Sequence, residues 1–283
     1  MSNEKIRLHY GDNTPNTLRT VLRNTVSDVM NKSQNRDLFK GLSIYLTDDY
    51  SNVSSECNSK DFISDKSEYE SAACTINPIF TNGNKEIILN TNGTEPSLKN
   101  LFGLINDTPK TETEIENNFL HELGHQFDYH YSSVKLDQNL INIANKYLEG
   151  QISEEKFEQL TKAYFNSQLS DSKEFKEAWI DDVEKFQSLN NLDKLYEELD
   201  YYAPDWFVNY DDDDSNNINW RDGIDNREIE LVSKERGEIF AQIFADLLNT
   251  QTNTEEENLR SSLYSNCVNC IKDLLQKYLG INF

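Results

Sequence analysis

Cationic side chains are scarce in this chain: 27 lysines and arginines face 50 aspartates and glutamates, leaving a net charge of −23. A phosphate backbone or an anionic membrane needs a basic surface, so neither nucleic acid nor anionic lipid is an expected partner. A basic substrate is permitted by that charge, although a well-hydrated acidic surface accounts for it more simply. Long apolar runs are also missing: no stretch of 18 such residues exists, so no membrane span is expected. The opening residues, Met1 to Leu8, have no apolar h-region. The expectation is therefore action in the cytoplasm, export by a leaderless route, or a leader already removed. Cysteines number only four, at 57, 74, 267 and 270. Cys267-Val-Asn-Cys270 is a CxxC with no second pair to complete a zinc ribbon, so buried or idle thiols are expected.

What is present is enough for a full-sized core, and 14 Tyr with 14 Phe point to a folded chain. The patterning predicts an α+β fold, a small mixed sheet with helices over 1–110 followed by a helical part over 111–283, taken together as a single domain over 1–283. Strands are expected at 5–10 and 42–47, with an amphipathic helix at 16–31 between them. A polar loop at 48–69 precedes a hairpin-like pair, 72–80 and 86–91, turning at Asn82-Gly83. One of these strands lying open beside the functional site would let a peptide add to it by backbone pairing. Beyond residue 130 the chain reads as helices at 136–148, 153–169, 172–189 and 191–199, then a long aromatic and acidic loop at 201–226. The run Asp211 to Asp214 in that loop does not fit an EF-hand, whose glycine position falls on Asn216.

Histidines are as few as cysteines, four in all, yet two of them fall in His121-Glu122-Leu123-Gly124-His125. Thr111 and Glu114 form a capping box ahead of them, and Ile115, Phe119, Leu120, Leu123 and Phe127 recur at helical spacing. At about 100° per residue, His121, His125 and Asp128 share roughly the opposite face. Two imidazoles four apart can hold zinc, and the carboxylate between them can act on a metal-bound water. Gly124 costs about 1 kcal/mol of helix propensity relative to Ala, which suggests that something approaches the helix backbone there. Asp128 is placed either to take the second N–H of a ligand imidazole or simply to face solvent.

A catalytic zinc usually has three protein ligands and a water. A third histidine in the extended motif is excluded, because Asp128 stands at its glycine position and Tyr131 at its histidine position. His130 is out of phase and His9 remote. The best candidate is Glu238, in a helix where Ile239, Phe240, Ile243, Phe244 and Leu247 make the buried face. Ala241 and Ala245 lie on the Glu238 side, small enough for this helix to pack closely on the one carrying Gly124. Glu235, one turn earlier, is the chief rival.

With both helices in view, the chain resembles the zinc metallopeptidases related to the catalytic domain of anthrax lethal factor, a group that includes the Pro-Pro endopeptidases. The matching segments are His121 to Tyr129, Ser172-Lys173-Glu174-Phe175 and Glu238 to Phe244, with 258–279 similar to the closing helix. The resemblance implies a zincin-like fold, zinc held by His121, His125 and Glu238, and Glu122 as the base. It implies insertions near 134–168 and 190–230, and it leaves Leu231 where the family tends to place a transition-state tyrosine; Tyr210 or Tyr202 would have to supply that help. The expected activity is zinc-dependent endopeptidase action on a protein or peptide by a toxin-like, secreted monomer. The alternatives are a degenerate zinc-binding or protein-interaction module and a housekeeping protease acting inside the cell.

Overall fold

The computed structural model describes residues 5–48, 53, 57–58, 73–91, 111–187, 229–249 and 261–283. The expected loop at 201–226 with Asp211 to Asp214, Tyr202 and Tyr210, the expected helix at 191–199 and most of 48–69 lie outside them. So do the side chains of Leu231 and Glu235.

Four strands make one mixed sheet in the order β1-β2-β4-β3: β1 is Arg7–Tyr10, β2 Ser43–Thr47, β3 Ala73–Thr75 and β4 Glu86–Asn90. β1, β2 and β4 run parallel, and β3 is antiparallel to β4. Parallel neighbours need a crossover, which the helix α1, Asn16–Lys32, provides between β1 and β2. Residues in β2 and β4 alternate as a strand requires. Ile44, Leu46, Ile87 and Leu89 enter the main core, while Tyr45 and Ile88 point to the other face and pack with Val53 and Cys57. Both central strands are therefore buried throughout. The expected strand at 72–80 is only three residues long. Asn77, Pro78 and the residues after them fold into successive turns, ending with Asn82 and Gly83 both at positive φ, 54° and 81°. The turn residues are as expected, but the connection is longer than a tight hairpin.

Across the main core face lies α2, Glu112–His130. Its start is the expected capping box: Thr111 Oγ1 accepts from the Glu114 N–H at 3.2 Å, and the Glu114 carboxylate accepts from the Thr111 N–H at 2.6 Å. Helices α3, Gln138–Leu148, and α4, Glu154–Phe165, pair with each other around a separate small cluster of Ile79, Ala144, Phe157 and Tyr164. α5, Lys173–Gln187, begins where Ser172 Oγ accepts from the Phe175 N–H. α6, Ile229–Leu248, packs chiefly on α2, and α7, Ser265–Leu279, closes the core and ends at Gly280, φ 69°. No side chain of its own caps α7. Asp182 of α5 does so instead, accepting from the N–H groups of Asn266 and Cys267. Among the described residues no helix is long and apolar enough to cross a membrane.

All four cysteines are free. Burial holds the Cys267 thiol well above its ordinary pKa and pushes Cys270 up to about 11, so neither supplies a thiolate readily.

Candidate metal centre

The contact between α2 and α6 begins with a glycine. A Cβ built on Gly124 would meet the Ala241 Cα at 2.8 Å and its carbonyl oxygen at 3.0 Å, so the two backbones touch with no side chain between them. Real Cβ atoms do not approach backbone that closely, which is why a costly helix residue stands here. Phe127 stacks against Phe240 and Phe244 just beyond this contact, and Phe175 of α5 meets Phe240 edge-on. Within α6 the buried Arg236 guanidinium pairs with Asp171 and lies over the Trp179 ring of α5.

This close approach sets Glu238, two residues after Arg236, beside the two imidazoles. Glu238 Oε2 lies 3.1 Å from His121 Nε2 and 3.6 Å from His125 Nε2, and the two Nε2 atoms are 3.2 Å apart. A tetrahedral ion with bonds of 2.0–2.2 Å separates its ligands by roughly 3.3–3.6 Å, so the three atoms stand nearly at the spacing such an ion requires. The donor set, two imidazole nitrogens and one carboxylate oxygen, can hold a divalent metal ion, and all its atoms fall within 4.8 Å of one another.

A chain of hydrogen bonds fixes which nitrogen of His121 is offered. Asp246 Oδ1 accepts from Gln242 Nε2 at 2.9 Å, which turns the amide oxygen of Gln242 toward His121 Nδ1 at 3.2 Å. Nδ1 therefore carries the proton and donates it, leaving Nε2 as a lone pair aimed at the cluster. Glu238, Gln242 and Asp246 sit four apart on one face of α6, a spacing the sequence displays without naming its purpose.

The charge states of the cluster depend on one another. Burial opposes charge on His125, but the hydrogen bond and negative charge of Glu238 outweigh it and raise the imidazole to about 9. The two histidines in turn hold the Glu238 carboxyl well below the usual carboxylate range despite its burial. A metal ion entering here has to displace that proton. Glu122, 7% exposed, is raised by burial, with the histidines acting against the shift and Glu238 with it. A raised pKa makes a carboxyl a better proton acceptor, and its proton can later be returned.

Asp128 takes neither expected role. It is buried, and its carboxylate accepts from the Ser170 N–H at 2.9 Å and from the Ser170 hydroxyl at 2.7 Å. It ties α2 to the turn before α5 and influences His125 only through its charge. Glu116, Glu122, Gln126 and Asp128 are all buried, because strands and helices pack around the middle of α2, while His121 is half-buried. Gln126, one turn after Glu122, donates from Nε2 to Thr75 Oγ1 at 2.6 Å and so fastens α2 to β3. His130 lies away from the cluster in the last turn of α2, and His9 stacks on Tyr45 in the sheet.

No family model, curated protein or solved structure matches the chain.

Proposed function

We propose that the protein is a zinc-dependent endopeptidase in which His121, His125 and Glu238 bind the metal and Glu122 is the general base. The observation that carries this reading is the convergence of those three ligand atoms at tetrahedral spacing next to a buried carboxyl. Zinc, when bound, polarises a scissile carbonyl and makes a water more acidic. Glu122 takes the proton of the attacking water and later delivers it to the leaving amine, a dual role that a carboxyl of raised pKa can fill. Glu238 and the imidazoles keep their orientation through Gln242, Asp246 and the α2–α6 contact. β3, last in the strand order and fastened to α2 through Gln126, is the strand along which a peptide would lie by backbone pairing. The sequence resemblance to lethal-factor-type metallopeptidases agrees with this reading.

The test is metal analysis of the purified protein followed by mass spectrometry of a peptide library incubated with and without chelator. One zinc per chain and chelator-sensitive cleavage are expected. Stoichiometric zinc with an uncleaved library would instead favour a binding module that has lost turnover.

A further inference from the structure

Beyond the metal centre, one turn further along α2, lies a cavity of about 610 Å³, within the size range of small-ligand sites. The last turn of α2, the β3–β4 connection and the 3-10 turn Asp37–Phe39 form its walls. In a chain of net charge −23 its chemistry is out of character. Lys40, Lys85, Lys135 and His130 converge on it, and Asp37 is the one carboxylate among its described lining residues. Asp37 already pairs with Lys40 at 2.7 Å. Lys85 gives two of its three N–H donors to the carbonyls of Asp37 and Leu38, and Lys135 gives one to the carbonyl of His130. Both ammonium groups thus keep donors for something else. Burial, followed by neighbouring lysines, lowers His130 to about 4, and burial together with Lys40 lowers Lys85 to about 8 against the pull of Asp37.

Gln126 shares this wall but is fully buried, so what the cavity offers a ligand is chiefly its cations, the complement of a carboxylate side chain. The cavity adjoins the metal centre: Tyr129 lines it and stacks on His125 with ring centroids 6.2 Å apart. One helical turn of about 5.4 Å corresponds to roughly two residues of extended peptide.

We propose that this cavity is a specificity pocket for an acidic residue, Asp or Glu, lying within about two positions of the bond cleaved at the metal centre. Lys85 and Lys135 take the carboxylate. The proposal rests on the endopeptidase reading for its substrate, and its test is arranged to separate the two.

The zinc-loaded protein is titrated, by calorimetry and NMR, with N-acetyl-glutamate N-methylamide and with the glutamine counterpart. The glutamate compound is expected to bind at least about tenfold more tightly. Lys135 is exposed, so Lys135→Met removes charge without touching the core, and it should abolish most of that preference. Lys85→Met should do the same, provided its denaturation midpoint shows it folded. Equal binding of the two compounds, or a preference that survives in both folded variants, overturns the proposal. These probes contain no scissile bond and do not need Glu122. A protein that prefers the glutamate probe but cleaves no peptide sinks the endopeptidase reading and keeps the pocket. Cleavage of a library with no gain for Asp or Glu near the scissile bond sinks the pocket and keeps the endopeptidase.

Discussion

Helix α2 carries two polar centres of opposite character barely a turn apart. In its middle, lone pairs and carboxylates face one another across α6 and can be reconciled only by a proton or a cation. At its C-terminal end, Lys135 sits on the carbonyl of His130, a natural place for positive charge, Lys85 sits on the carbonyls of the neighbouring 3-10 turn, and both retain donors for an anion. The first centre is rigid because its parts bond to each other and to a backbone contact. The second is assembled from segments that meet only through the fold. A polypeptide spanning both would present a carbonyl to one and a carboxylate to the other. The difference teaches that an acidic protein can gather three of its 27 lysines and arginines at one cavity with a single carboxylate among the described lining residues.

The sharpest way to break the pairing is Glu122→Gln. Peptide cleavage should fall about a thousandfold, with zinc content and affinity for the glutamate probe unchanged, as measured by kinetics, metal analysis and calorimetry. If cleavage persists, the division of labour between the two centres is wrong. Gly124→Ala comes next. The added methyl would collide with the Ala241 backbone, so unfolding in urea should show a loss of about 2–3 kcal/mol, and zinc should be surrendered to a weaker chelator. Gln242→Leu removes the acceptor facing His121 Nδ1 together with the hydrogen bond to Asp246, and leaves the three ligand residues in place. Zinc affinity should drop by about 10- to 100-fold in a chelator competition while the probe still binds the cavity normally.

The smallest effect belongs to the second centre. His130 titrates at about 4 in the folded protein, below its ordinary 6.5, because of burial and then Lys85 and Lys135. Between those values the unfolded chain binds more protons, so stability should decline as pH falls from 6.5 toward 4. After solvent screening the loss is on the order of 1 kcal/mol. Thermal melts at pH 7 and pH 5 should therefore differ less for His130→Gln than for the parent. Equal differences would mean that the lysines do not press on this imidazole.

Much of the candidate site's geometry was legible in the sequence because its information is largely local. The capping box and the three-and-four spacing of Ile115 to Phe127 refer to one helix, and the glycine facing a small alanine refers to two. They carry Glu238 to within 3.1 Å of His121 across 117 residues of chain. Asp128 misled because periodicity assigns a polar face to the outside, and it has no means of showing that Ser170 will bury that face. β3 was overestimated because the turns after Asn77 take residues whose alternation alone favours a strand. The cavity was illegible for a plainer reason. Lys40, Lys85, His130 and Lys135 belong to separate segments, and nothing in their spacing announces that they meet.

Two bare backbones in contact are far harder to slide than two layers of side chains. The gap between the imidazoles and the Glu238 carboxylate is consequently inherited from how α2 and α6 pack, with little slack for rotamers to absorb. Chelator strength thus becomes a ruler for the core: a substitution buried well away from any ligand, if it shifts either helix by a few tenths of an ångström, should register first as a change in how tightly the ion is gripped.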